Sequence, residues 1–274
     1  MTMRSAQVRV PATVGNFQND STSTAALEGS LNVKVTLRDD GQVGIRYFGE
    51  NGERVPRGRS NLVVRAMESA LRSQGLEFTG ADFEIYSSVP VGVGLGSSTA
   101  AVLAGLIAAD RLFDLGLDDK ALFDLAAMHE SRADNVKAAW LGGLVSGKDG
   151  VPRRSALSGR LVLNVVIPQF GRLDTPFASA DDKDVPGLEA ALNLEMPGVS
   201  IFLCGSGPAV GIIDEDLTPE AVRAVHSCFA KYGLESRHVG FRPSITGARE
   251  WNEARAEAAS AASELRRKPS LIPV

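Results

Sequence analysis

The sequence predicts a mixed fold of helices and strands, and three observations carry that expectation. Apolar and polar residues alternate through Leu31-Asn32-Val33-Lys34-Val35-Thr36-Leu37-Arg38, as in a half-buried strand. A glycine-rich loop at residues 90–100 joins a strand pattern, Phe83-Glu84-Ile85-Tyr86-Ser87, to an apolar helix pattern at residues 100–109. The same mixture returns after Gly147-Lys148-Asp149-Gly150-Val151-Pro152, where turn formers cluster and where a boundary is expected, dividing 1–150 from 151–274. A chain of 274 residues can bury a sizeable core, either as one large domain or as two of ordinary size.

The elements follow in order. Val8-Arg9-Val10 opens the first strand, and Val43 to Phe48 forms another after the strand at 31–38, with Asp39-Asp40-Gly41 reading as a hairpin turn between those two. A helix fits Leu62 to Ser73, with Asn61 as its N-cap and Gly75 just past its end. Beyond the loop helix, Leu117-Asp118-Asp119-Lys120 leads into a helical stretch reaching about Met128, and Asn135 to Trp140 begins another. Residues 161–168 and 199–204 are apolar enough for buried strands, and 211–214 is a shorter one. Thr218-Pro219-Glu220 caps a helix to about Tyr232, and residues 249–267, rich in Ala, Glu and Arg, read as a terminal helix ended by Pro269.

Bulk properties narrow the function. The chain is 44% apolar and 23% charged, with a formal net charge of −4, so nothing global attracts nucleic acid or an anionic membrane. No segment approaches eighteen consecutive apolar residues, and Met1 to Val10 lacks the apolar core of a signal peptide, so a cytoplasmic protein is expected. The two cysteines, Cys204 and Cys228, and the three histidines, His129, His226 and His238, argue against a disulfide framework, a thiolate zinc site or a histidine-rich metal site.

The chemistry concentrates in Pro90-Val91-Gly92-Val93-Gly94-Leu95-Gly96-Ser97-Ser98-Thr99-Ala100. Without a Cβ, Gly92, Gly94 and Gly96 let the chain turn tightly and bring several N–H groups to one anion. The helix that follows adds unpaired N–H donors and the positive end of its dipole, and Ser97, Ser98 and Thr99 add hydroxyls. The loop lacks the Gly-Lys-Ser/Thr ending of one common phosphate loop. Ser97 also stands where a dinucleotide fingerprint built on Gly92 and Gly94 needs its third glycine. The plainer reading, a turn and a cap, needs fewer glycines and hydroxyls than are present.

Three separated segments together resemble the GHMP family of small-molecule kinases: Pro90 to Ala100 its phosphate loop, Gly205-Ser206-Gly207-Pro208-Ala209-Val210 its late glycine motif, and Pro11-Ala12-Thr13-Val14-Gly15-Asn16 its opening motif. Within the family, Asp134-Asn135-Val136-Lys137-Ala138-Ala139-Trp140-Leu141-Gly142-Gly143, Asn61 to Ala66 and Thr246-Gly247-Ala248-Arg249 are similar to homoserine kinase segments. The resemblance implies an α+β fold with an N-terminal domain like ribosomal protein S5 domain 2 and a ferredoxin-like C-terminal domain, the nucleotide lying between them. It implies ATP and Mg²⁺ as cofactors and a small-molecule acceptor such as homoserine; the charge balance and the lack of a basic patch point to no nucleic-acid or membrane partner, and a homodimer is allowed.

The same resemblance implies roles. Pro90, Gly92, Gly94, Leu95, Gly96, Ser97, Ser98, Thr99, Gly205, Ser206 and Gly207 would bind the nucleotide, and Ser98 and Asp124 would hold Mg²⁺. Asp124 enters because the family's homoserine kinases carry a glutamate ligand eleven residues before the motif asparagine, here Asn135. Asn16 and Asn135 would orient the acceptor hydroxyl, and Arg132 would hold an anionic group, with Arg172 as a weaker clamp. Each has a plainer reading: Asn135 caps the helix it opens, Asn16 shapes a turn, Arg132 pairs with Glu130 or solvent, Asp124 is an exposed helix acid, and 205–208 is a turn. The chain departs from the family on the acceptor side. After Asn16 the glycine turn is replaced by Phe17-Gln18-Asn19-Asp20, Arg132 stands where the family has a histidine, and the family's two carboxylate-holding arginines are not matched. Another hydroxylated acceptor, or nucleotide binding without turnover, are the alternatives.

Overall fold

The computed structural model describes residues 4–147, 153–158, 160–169, 185–214 and 219–250. Two sheets organise them. The first has the order β11-β1-β2-β4-β3, with β5 pairing β2 and β6 pairing β5. Its strands are β1 (Ser5–Gly15), β2 (Ser23–Leu37), β3 (Val43–Phe48), β4 (Ala81–Ser87), β5 (Leu144–Ser146), β6 (Arg153–Ser155) and β11 (Arg249–Glu250). The second is antiparallel, in the order β10-β7-β9-β8, from β7 (Leu163–Gln169), β8 (Val199–Leu203), β9 (Val210–Asp214) and β10 (Glu235–Phe241).

Period-two alternation decides which face of the first sheet is covered. Val8, Val10, Val33, Val35, Phe83 and Ile85 are buried in one cluster with residues of α1 (Leu62–Ser73), α2 (Ser97–Phe113), α3 (Asp119–Ala127) and α4 (Ala133–Leu141). Helix α1 starts where its cap does: the Asn61 side chain accepts from the Val63 N–H at 2.9 Å. Most of its stability comes from packing rather than propensity, since Val63, Val64, Met67, Ala70 and Leu71 are all essentially buried.

Strands β7, β8 and β9 of the second sheet are covered on both faces, which explains why they read as apolar runs, whereas edge strand β10 is largely exposed. Val166, Ile201, Val210 and Ile212 meet α5 (Leu188–Leu192) and α6 (Pro219–Ala230), while Val165, Ile167 and Phe202 meet Ala12, Val14, Phe17 and Leu27 of the long β1–β2 hairpin. Phe17 and Phe202 contact edge to face at 5.8 Å between ring centroids. Burying each such ring contributes about 1.5–3 kcal/mol, so the hairpin tip is a structural joint.

Three expectations change. Asp39-Asp40-Gly41 is not a hairpin turn: β4 lies between β2 and β3, antiparallel to the first and parallel to the second. Arg38 bridges Asp40 and Asp82, and the Gly41 N–H bonds the Thr79 carbonyl at 2.7 Å, which carries the chain past β4 instead of back along β2. The first sheet crosses the boundary expected at residue 150, because β6 and β11 belong to it. Arg249–Glu250 is a strand on β1 rather than the start of a helix, and the remainder of that expected helix lies outside the described residues. Strand β10 was not legible as one. Helix α6 is described from Pro219; its expected cap Thr218 lies outside the described residues.

Candidate active site

Strand β4 ends at Ser87 and hands the chain to the glycine loop, which ends at the first turn of α2. Gly94 and Gly96 have φ of 85° and 71°, and each is held against a neighbour. A Cβ on Gly94 would stand 1.8 Å from the Cys204 carbonyl oxygen, and one on Gly96 would stand 2.0 Å from Thr13 Oγ1. Backbone bonds complete the joint: the Thr13 N–H donates to Leu95 O at 3.2 Å, the Ala209 N–H to Val93 O at 3.3 Å, and the Gly205 N–H to Gly15 O at 3.2 Å. The opening strand, the glycine loop and the 204–209 turn therefore form one rigid floor.

Above that floor lies a cleft of about 640 Å³. Tyr47, Val55, Pro56 and Leu62 give it apolar lining. Gly92, Gly94, Gly96, Ser97 and Ser98 line it too, with Gly205, Ser206 and Gly207 packed beside Gly94. The N-cap of α2 is Gly96, which has no side chain to satisfy the first helical N–H groups, and seventeen residues of helix stand behind them. Open donors and a positive dipole end therefore face a cavity.

Acid and base line the cleft as well. Ser98 Oγ and Thr99 Oγ1 each donate to Glu130 Oε2 at 2.8 Å, and Glu130 Oε1 accepts the Arg132 N–H at 3.1 Å. Arg132 pairs with Asp134 at 2.8 Å and reaches Asn16 Oδ1 at 3.4 Å. Thr24 Oγ1 donates to Asp134 Oδ2 at 2.5 Å. Burial pushes the Asp134 carboxyl up, but the bonds from Arg132 and Thr24 outweigh it and hold the group below the usual carboxylate range. Asn135 is buried, lines the cleft and stands 3.4 Å from Thr24 Oγ1. Arg54, near Gly92, also lines the cleft, and its guanidinium has no hydrogen-bond or ion-pair partner among the described residues.

Residues 61–143 match the model of the GHMP kinases N terminal domain. The chain is 34% identical over 167 residues to the homoserine kinase of Moorella thermoacetica, covering 60% of this chain and 56% of that protein. It is also 34% identical over 195 residues to the homoserine kinase of Streptomyces coelicolor, covering 68% and 63%. Over residues 61–143 the chain carries the GHMP kinase N-terminal domain. It spans less than two thirds of the length of those curated relatives. Among solved structures, a homoserine kinase from Cytophaga hutchinsonii superposes with a TM-score of 0.68 at 21% identity, over 92% of this chain and 98% of that one. Lactococcus lactis galactokinase, complexed with galactose, superposes with a TM-score of 0.66 at 12% identity, over 90% and 95%. These likenesses show the α+β GHMP kinase fold.

In this GHMP kinase fold the cleft gathers Gly92, Gly94, Gly96, Ser97, Ser98, Arg132, Asn135, Gly205, Ser206 and Gly207. Pro90, Leu95 and Thr99 are buried beneath the loop surface. Asn16 stands behind the late glycine motif: its Nδ2 donates to Gly205 O at 2.7 Å and Leu203 O at 3.2 Å, which fixes the turn rather than facing an acceptor. The structure does not bring Asp124 to Ser98. Asp124 is an exposed acid on α3 paired with Lys120 one turn back, and the carboxylate beside Ser98 is that of Glu130. Asp20 accepts from Thr22 and Ser23 and caps its own turn. Asn135 is the third residue of α4, not its cap. Arg172 lies outside the described residues. Sequence reasoning missed Glu130 and Arg54 as cleft residues, and Thr24 as the partner of Asp134. Of these only Thr24 had a signal, a polar residue beside the apolar Ala25-Ala26-Leu27 of its strand.

Proposed function

We propose that this chain is an ATP-dependent kinase that transfers the γ-phosphoryl group to the hydroxyl of a small acceptor, with homoserine as the first candidate. The observation that carries the reading is the uncapped α2 N-terminus under a glycine loop, opening into a cleft beside the Ser98–Glu130 pair. The base would lie against the apolar lining of Tyr47 and Pro56, and the phosphates over Gly94 to Ser98. The relatives named homoserine kinase supply the acceptor class. A cytoplasmic setting accompanies this reading, with a homodimer allowed. Among the described residues no helix is long and apolar enough to cross a membrane.

Ser98 and Glu130 are hard oxygen donors whose atoms already converge at 2.8 Å, a donor set that fits Mg²⁺ with phosphate oxygens and water completing its shell. When bound, that ion would offset charge on the transferring group. The rest falls to the chain's own residues. Arg54 and the α2 N–H groups would meet the phosphate oxygens, and Arg132 and Asn135 would align the acceptor. Asp134 is a weak base, because two hydrogen bonds stabilise its ionised form. Positioning and charge neutralisation therefore dominate the rate, as phosphoryl transfer permits.

A second reading, an acceptor without a carboxylate, is favoured by one observation: the Arg132 guanidinium is already paired with Asp134. Titration calorimetry with MgATP, followed by ADP release with homoserine, mevalonate and galactose, separates the cases. Homoserine is expected to raise ADP release well above background, and Ser98→Ala to reduce it. Release on another acceptor selects the second reading. ATP binding with no turnover on any acceptor leaves a nucleotide-binding homologue, and no ATP binding overturns the kinase assignment.

A further inference from the structure

Strands β1 and β11 place two arginines directly opposite one another: in their antiparallel register Arg9 faces Arg249. Like charges in that relation repel, so the arrangement opposes the pairing that creates it. Neither guanidinium has a hydrogen-bond or ion-pair partner among the described residues, although Glu28 is near enough for a favourable charge interaction with Arg9. Burial disfavours the charged form of Arg9, the neighbouring Arg249 disfavours it further, and Glu28 offsets only part of this, leaving the pKa lowered.

The pair lines a cavity of about 320 Å³ that shares no residue with the nucleotide cleft. Val8 and Val10, flanking Arg9 on β1, are buried under the helices, so Arg9 projects from the opposite face of the sheet. Ser30, Ser244 and Thr246 complete its polar wall, and Glu28 is exposed. Among the described residues, the charged groups lining the cavity thus sum to two positive and one negative, with hydroxyls beside them. That donor set is one anion short of neutrality.

We propose that Arg9 and Arg249 form a second, noncatalytic anion site that takes one small oxyanion, a phosphate or a carboxylate, bridged between the two guanidiniums. Planar guanidinium forks match either oxyanion bidentately, and a bound anion would turn the repulsive cross-strand pair into a clamp fastening β11 to β1.

The test is thermal melting of the full chain in inorganic phosphate, acetate and chloride at matched ionic strength, for the native protein, Arg9→Met and Arg249→Met. In chloride, both variants are expected to melt at or above the native temperature, because the repulsion is gone. Phosphate or acetate should raise the native Tm by roughly 2–4 °C over chloride, and whichever acts identifies the oxyanion. In either variant at least half of that rise should vanish, the remainder belonging to the glycine loop. Equal rises in native and variant proteins would put the anion elsewhere and overturn the site. So would a native protein that responds no more to either oxyanion than to chloride. Variants melting below the native protein in chloride would mark the pair as structural and would equally overturn the site. None of these outcomes bears on the kinase assignment, which rests on nucleotide binding.

Discussion

At the scale of single residues, Glu130 concentrates the chemistry. Its Oε2 accepts from both Ser98 and Thr99, and its Oε1 orients the Arg132 backbone, so one carboxylate joins the helix that would hold phosphate to the one that would hold the acceptor. Glu130→Gln is therefore expected to lower turnover on the order of 10²-fold, with reduced sensitivity to magnesium concentration. Asp124→Asn should leave ADP release within about twofold, because an exposed ion pair one turn along a helix contributes little. A strong effect of Asp124→Asn with none from Glu130→Gln would reverse the metal assignment. Arg54 is the cleft cation with no competing partner among the described residues, and Arg54→Ala should raise the Kd for ATP about tenfold while leaving adenosine binding unchanged. Neither Glu130 nor Arg54 was legible in the sequence. The eleven-residue spacing pointed to Asp124, but α3 turns that carboxylate toward Lys120, and Glu130 reaches Ser98 from the connection beyond α3.

At the scale of elements, the site depends on backbone meeting backbone. Gly94 packs on the Cys204 carbonyl with φ of 85°, so Gly94→Ala must displace the 204–209 turn as well as strain its own residue. We expect a loss of more than about 2 kcal/mol, read as a lowered denaturant midpoint, together with weakened ATP binding. Gly92→Ala is the contrasting case, because its Cβ would meet nothing nearer than Arg54 at 3.6 Å; it should cost about 1–2 kcal/mol from its positive φ alone. Equal losses would show that the two glycine loops are not locked together. Elements with local signals were legible: α1 carries its own cap at Asn61, and β7 and β8 are apolar runs that only a sheet covered on both faces explains. Elements defined by distant partners were not. Strand β10 has a mostly polar sequence and exists because β7 offers an edge, and the order β2-β4-β3 depends on a strand some forty residues away in sequence.

At the scale of the whole molecule, two histidines outside the cleft make stability depend on pH. The Ser69 hydroxyl donates to Ala66 O at 2.8 Å, so His129 Nε2, 2.9 Å from that oxygen, is the donor in their contact, and its buried Nδ1 is left as a bare lone pair. Protonating Nδ1 would create a buried N–H with no acceptor among the described residues. Burial, with Arg65 and Arg72 adding to it, accordingly lowers the His129 pKa, and burial with His238 lowers that of His226. A histidine whose folded pKa is depressed takes up its proton more readily in the unfolded chain. Stability therefore rises with pH through the ordinary histidine range and is lost as pH falls below about 6.5. Urea midpoints measured from about pH 7 down to about pH 5 should decline in the native protein, and less steeply in His129→Gln and His226→Gln. If the double variant declines as steeply as the native protein, titrating groups other than these two histidines govern the acid limb.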